Sequence, residues 1–311
     1  RIRGGETGVL YGTYRLLVSR RAGLPLPKGV RAPALPLRTL DHWDNLDGTV
    51  ECGYAGASLF FQNGAVTADR ARLRAYARLL ASVSVNAVCL NNVRVRPAAH
   101  ALLTPRLLPA LGELAALFGA FGIRLMIAVD PGMPRACGLP TADPADGRVR
   151  AWWRERAALT YRYVPSLLGF LAQAASDGGP GPDARYCVRE ANMLARALQP
   201  HGGTLVWRCR ACGGGQARRG VGTGALAAAC ARCVGPAGRL DGNAMMQIRR
   251  GPLDFQVREP VSPLLVGPPR AAAALELQLT QAHTGRQTAL YAMQGMWNEV
   301  TADLPQGAVR A

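Results

Sequence analysis

Two Cys-x-x-Cys pairs, Cys209/Cys212 and Cys230/Cys233, flank seventeen residues, the spacing of a four-thiolate zinc site. The same thiols have a plainer use. Cys230 and Cys233 fall three apart on the expected helix "GALAAACARC", on one face, where a thiol serves as a small core filler. The expectation is therefore that no metal binds and that the purified protein holds well under one equivalent of zinc. A second set of chemically able residues is spread along the chain: Asp44 and Asn45, Asn91 and Asn92, Asp130, Asp177, Arg208, Arg249, Asp254 and Gln281. Each ends, or closely follows, a short apolar run. Polar and charged side chains at strand ends are what an active site assembled from several strands requires.

The elements that must position these residues follow from periodicity. Short apolar or β-branched runs occur at "LDHWDN" (40–45), "VNAVCLNN" (85–92), "IRLMIAVD" (123–130), "GFLAQAAS" (169–176), "GTLVWR" (203–208), "NAMMQIR" (243–249) and "LELQLT" (275–280). Between them lie amphipathic stretches such as "ARLRAYARLLASV" (71–83), "RLLPALGELAALFGAFG" (106–122) and "REANMLARAL" (189–198), with the spacing that covers a sheet. Strands alternating with helices imply a parallel sheet. A doubly wound sheet satisfies the alternation too, but no glycine-rich phosphate loop follows the first strand. The strand-end chemistry selects an α/β fold of the (β/α)8 TIM-barrel type. Seven strands are counted and the tail "ALYAMQGMWNEV" (289–300) reads as a helix, so the barrel is either truncated before its last strand or open.

Ahead of the first run, residues 8–20 have helical spacing, and "AGLPLPKGVRAPALPLR" after them is rich in proline, as a linker is. Residues 1–37 are expected to be the end of an N-terminal domain plus linker, and 38–311 the incomplete barrel. A formal charge of +17 and a pI near 10.5 invite a nucleic-acid reading, but arginine is scattered from Arg1 to Arg310 and Lys28 is the only lysine. No clustered basic patch emerges, and no nucleic-acid partner is expected. Eight cysteines in 311 residues are too few for a disulfide scaffold, and with no signal peptide a reducing, cytoplasmic setting is slightly favoured over secretion. No apolar run reaches bilayer length, so no membrane partner is expected.

Five stretches then carry a resemblance: "LDHWDNLDGTVECGYAGASLFF" (40–61), "LLASVSVNAVCLNNVRV" (79–95), "NMLARALQPHGGTLVWRC" (192–209), "QIRRGPLDFQVREPVSPL" (247–264) and "QLTQAHTGRQ" (278–287). Together they resemble glycoside hydrolase family 67, the α-glucuronidases. These remove 4-O-methylglucuronic acid side groups from xylo-oligosaccharides. The resemblance implies a (β/α)8 catalytic domain preceded by an α/β domain and followed by a helical region, with no metal or organic cofactor. Xylan-derived glucuronosyl oligosaccharides are the implied partners, and a homodimer is expected only if the C-terminal region is present.

The resemblance also implies roles. An inverting glycosidase uses one carboxylic acid to protonate the departing oxygen and an opposed carboxylate, roughly 6.5 to 9.5 Å away, to activate water. The family's acid is a glutamate in a Ser-Glu-Gly-x-Pro-Gly-Pro loop, matched here by "SDGGPGP" with Asp177 in its place. Its base is shared by an aspartate, matched by Asp254, and a glutamate whose position is Ala282. The shorter aspartate leaves its carboxyl about an ångström or more short of the glycosidic oxygen, a displacement that costs on the order of a hundredfold in rate. His283 falls on the other side of a strand and is a poor substitute for the missing glutamate. Impaired activity is the expectation. For the uronate, the resemblance implies Arg208 as bidentate partner and Arg249 in place of a lysine, while Gln173 replaces a second lysine and loses its charge. Trp43 packs on the sugar or lines the mouth for stability. Asp44, Asp47, Asn91, Asn92 and Glu259 brace loops or touch substrate. The competing readings are an inactive barrel that binds acidic sugars, or a zinc-containing nucleic-acid binder built on the cysteine pairs.

Overall fold

In the computed structural model, residues 2–173, 184–208, 240–250, 261–262, 265, 272–279 and 292–304 are described. Helix α1 (Glu6–Arg21) is followed by residues 24–38, which join no helix or strand. Then come β1 (Thr39–Asp41), a hairpin of β2 (Phe61–Gln62) and β3 (Ala65–Val66), α2 (Arg70–Ser82), β4 (Ala87–Leu90), α3 (Leu108–Gly119) and β5 (Arg124–Val129). The remaining elements are α4 (Met133–Ala136), α5 (Gly147–Tyr163), β6 (Gly169–Gln173), α6 (Ala184–Leu198), β7 (Thr204–Arg208), β8 (Ala244–Arg249), β9 (Ala273–Glu276) and α7 (Met293–Asp303). No single described helix is long and apolar enough to cross a membrane.

Seven strands form the main sheet in chain order, β1-β4-β5-β6-β7-β8-β9. The pairings β1/β4, β4/β5, β7/β8 and β8/β9 are all parallel. Chain-order parallel strands, joined through described helices from β1 to β7, make this the α/β barrel-type sheet that the alternation predicts. The strand sequences explain their place. All four residues of β4, "AVCL", and all five of β6, "GFLAQ", are buried; continuous apolar runs mark strands covered on both faces.

By internal contacts the chain divides into two compact units, Arg1–Ala128 with Arg156–Gly169, and Val129–Glu155 with Phe170–Ala311. In the first unit, α2 buries Leu73, Ala77, Leu80 and Ala81, one helical face, and is capped by Asp69, whose carboxylate accepts the Arg72 N–H. Helix α3 buries Leu108, Leu111, Leu114, Ala115 and Phe118. Gly112 on that helix is required by proximity, because a Cβ there would stand 2.6 Å from the Tyr163 carbonyl oxygen. In the second unit, Trp153, Phe170 and Trp207 are fully buried, with the Trp153 and Phe170 rings 6.2 Å apart. Helix α6 contributes Cys187, Ala191, Leu194, Ala195 and Leu198 to the interior and keeps Arg189 and Arg196 outside.

One ladder stops short of its predicted run: β1 ends at Asp41 instead of Asn45, while the predicted run 169–176 passes outside the described residues beyond Gln173. The polar residues that closed the first run begin a loop. Asp44 and Asn45 trade ladder bonds for side-chain contacts with their own loop. The largest correction concerns the seventh strand, read as 275–280, which occupies Ala273–Glu276. Its last residue is therefore Glu276, and Gln281 lies outside the described residues.

Candidate active site

In the first unit, the residues after β1 enter a loop held by its own polar groups together with Tyr76, Asn92 and Arg96 from outside it. The Asp44 carboxylate is buried and accepts from Ser58 Oγ at 2.5 Å and from the Leu59 N–H at 3.0 Å. His42 Nδ1 stands 3.7 Å from its other oxygen, and His42 Nε2 meets Tyr76 Oη on α2 at 2.8 Å. Burial pushes the Asp44 carboxyl up, but His42, Ser58 and Leu59 together outweigh burial and hold it below the usual aspartate value. Burial raises the Tyr76 phenol well above its ordinary range, with the Asp44 charge adding to the rise.

Asn45 Nδ2 donates to Thr49 Oγ1 at 3.0 Å and to the Glu51 carbonyl at 2.9 Å. Asn92 Nδ2 donates to Asn45 Oδ1 at 3.2 Å and to the same Glu51 carbonyl at 3.0 Å. Asn91, at φ 75°, donates to the Ala128 carbonyl at 3.0 Å; asparagine is among the few side chains that tolerate that left-handed conformation. Asp47 accepts from Thr49 and pairs with Arg96 Nη1 at 2.8 Å. The described contacts of Asp44, Asp47, Asn91 and Asn92 are thus loop braces. Trp43 is half-buried, and the Arg94 guanidinium lies 5.8 Å from its ring centroid, within cation–π range.

The second unit gathers charge instead. Arg208, the last residue of β7, is 4 % exposed. Its Nε and Nη2 donate to the two oxygens of Glu276, both at 2.6 Å, and its Nη1 donates to Gln173 Oε1 at 2.6 Å. Arg249 Nε lies 3.5 Å from Glu276 Oε1. The register explains the convergence. Arg208 is opposite Gln247 on β8, and Arg249 is opposite Glu276 on β9. Alternation along β8 puts Gln247 and Arg249 on one face, so the Glu276 side chain reaches across that strand to Arg208. A buried guanidinium tied down by a carboxylate fork and an amide is a fixed cation, suited to holding an anionic group.

Of the sequence-predicted site residues, Gln173, Arg208 and Arg249 are brought together. Trp43 stands in the loop after β1, in the first unit. Asp177, Asp254, Glu259, Ala282 and His283 lie outside the described residues, as do Cys209, Cys212, Cys230 and Cys233. Asp130, just past β5, accepts the Gly132 N–H at 2.8 Å and serves a turn. No group of three or more His, Cys, Asp or Glu side chains among the described residues is arranged to hold a metal. Sequence reasoning missed Glu276, which sat unremarked inside the predicted run 275–280. The available signal was a lone acid between Leu275 and Leu277. It also missed the His42–Tyr76 contact.

Residues 22–306 match the model of the glycosyl hydrolase family 67 middle domain. Alpha-glucuronidase A of Aspergillus tubingensis is 38% identical over 306 residues, which cover 96% of this chain and 36% of that protein. A probable alpha-glucuronidase A of Aspergillus terreus (strain NIH 2624 / FGSC A1156) is 38% identical over 301 residues, 95% of this chain and 35% of its own length. The chain thus spans little more than a third of these relatives. Among solved structures, that of a beta-N-acetylhexosaminidase superposes with a TM-score of 0.53 at 13% identity, over 99% of this chain and 73% of that one. Identity that low speaks for the fold alone. The chain belongs to glycosyl hydrolase family 67, and the part of the family it carries is the middle domain.

Proposed function

We propose that this domain is the catalytic barrel of an α-glucuronidase-like glycoside hydrolase, which removes (4-O-methyl)glucuronic acid from xylo-oligosaccharides by inversion. The observation that supports it best is the fixed cation at the end of β7. Arg208 is held by Glu276 and Gln173, with Arg249 alongside, in a chain whose relatives are named alpha-glucuronidases. A uronate differs from a neutral hexose by one carboxylate, and a buried guanidinium is the group that reads it. In this reading Arg208 and Arg249 receive the uronate. Asp177 protonates the departing oxygen, and Asp254 takes the proton of the attacking water. Residues 38–311 form the barrel and 1–37 the end of a preceding domain with its linker. A homodimer is expected only where a C-terminal region beyond these residues is present.

Turnover is expected to be low. Asp177 is shorter than the glutamate it replaces, and Ala282 removes one of two basic carboxylates. Both replacements favour a second reading, an acidic-sugar-binding barrel that no longer hydrolyses. The test is an assay of methylglucuronic acid release from aldouronic acids, run beside calorimetric titration with glucuronate. Slow release, abolished by Asp254→Ala, supports the enzyme. Binding without release supports the second reading, and the absence of both overturns the two together.

A further inference from the structure

We infer that Glu276 is the positioning residue of the anion site: it holds Arg208 and Arg249 at the spacing and orientation in which they accept a sugar carboxylate. This rests on the proposed uronate reading and adds to it a residue with no assigned role. Three observations carry it. Glu276 makes both bonds of a fork to Arg208, at 2.6 Å each, and the oxygen that takes Arg208 Nη2 is also 3.5 Å from Arg249 Nε. One carboxylate therefore touches two guanidiniums from two different strands. Its own backbone is pinned as well, since the Glu276 carbonyl accepts the Arg250 N–H at 3.1 Å and Arg249 is its register partner. Finally, the Arg208 side chain is 5 % exposed and that of Glu276 16 %, so water competes weakly for the fork.

The physical consequence is preorganisation. An arginine has several rotatable bonds, and a ligand that must order it loses affinity by that amount. Glu276 opposes an incoming anion by its own charge, but it supplies the geometry without which the two cations do not converge. Gln173, the third contact of Arg208, is neutral and only completes the orientation. Glu276 touches no substrate in this account; it acts through Arg208 and, at longer range, Arg249.

The experiment is calorimetric titration of the protein with D-glucuronate and with D-glucose, which lacks the carboxylate. Wild type is expected to prefer glucuronate. Glu276→Gln should reduce that preference about tenfold or more, with glucose binding unchanged, and Glu276→Asp, which keeps the charge but shortens the reach, should fall between. Because the effect runs mainly through Arg208, Glu276→Gln should cost clearly less in an Arg208→Lys background, which keeps a cation without the fork, than in wild type, a non-additivity that general destabilisation does not produce. If wild type does not prefer glucuronate, the uronate reading fails and this inference with it. If wild type prefers glucuronate but Glu276→Gln and Glu276→Asp keep or tighten that preference, or the double variant is additive, the positioning role alone is overturned. Should Glu276→Gln not fold, Glu276→Asp and its combination with Arg208→Lys decide by the same criteria.

Discussion

The loop after β1 and the ends of β7 to β9 use strand-end polar residues in opposite ways. In the first, Asp44 and Asn45 spend their hydrogen bonds on Ser58, Thr49 and backbone of the same loop, and Asn92, past the end of β4, donates to the Glu51 carbonyl of that loop. In the second, Arg208, Arg249 and Glu276 turn toward one another. Amides and a carboxylate are easily satisfied by nearby N–H and C=O groups. A guanidinium buried at a strand end needs an ionised partner, which only another strand supplies. The first arrangement shapes a loop and the second builds a charged site. Strand-end polarity alone therefore does not distinguish structure from chemistry; the partner does.

That contrast can be broken, and the largest effect is expected at Arg208. Arg208→Ala leaves the partly buried Glu276 without its fork and should cost about 3 kcal/mol of stability in urea unfolding, together with the loss of glucuronate binding. Retained glucuronate binding would place the anion site elsewhere. Next, restoring both absent features of the family pattern, Asp177→Glu with Ala282→Glu, should raise methylglucuronate release about a hundredfold; an unchanged rate would remove Asp177 from the acid role. In the loop region, Asn92→Ala should lower stability by roughly 1–2 kcal/mol and leave glucuronate binding unaltered.

The acid limb of the stability curve sharpens the same comparison by a smaller amount. The Asp44 carboxyl lies below its ordinary value of 3.8 in the fold. Its contribution is fully present above that pH and is lost as pH falls through the lower folded value. Asp44→Asn should flatten this limb and cost roughly 1–2 kcal/mol at neutral pH. An acid limb identical to wild type would show that Asp44 is not held as its contacts indicate.

Much of the architecture was legible because it is periodic. Helices over 71–83 and 106–122 are found at Arg70–Ser82 and Leu108–Gly119, and the runs at 203–208 and 243–249 at Thr204–Arg208 and Ala244–Arg249. The seventh strand was misplaced because "AALE" begins with two alanines, weak strand formers, whereas "LELQLT" alternates as a strand does. Family membership was legible in "GPLDFQVREP" and "LDHWDNLDGTVECGYAGASLFF", stretches long enough to be specific.

The amino-acid order by itself determined the helices, most of the strands, the parallel sheet and the kinship with family 67, because each depends on local spacing or on contiguous motifs. Partnership between distant side chains was decided only by the tertiary structure. Arg208 and Glu276 are 68 residues apart, and His42 and Tyr76 are 34 apart. Pairs at such separations meet only once the register of neighbouring strands and the docking of a helix are set, and those depend on how the whole core closes.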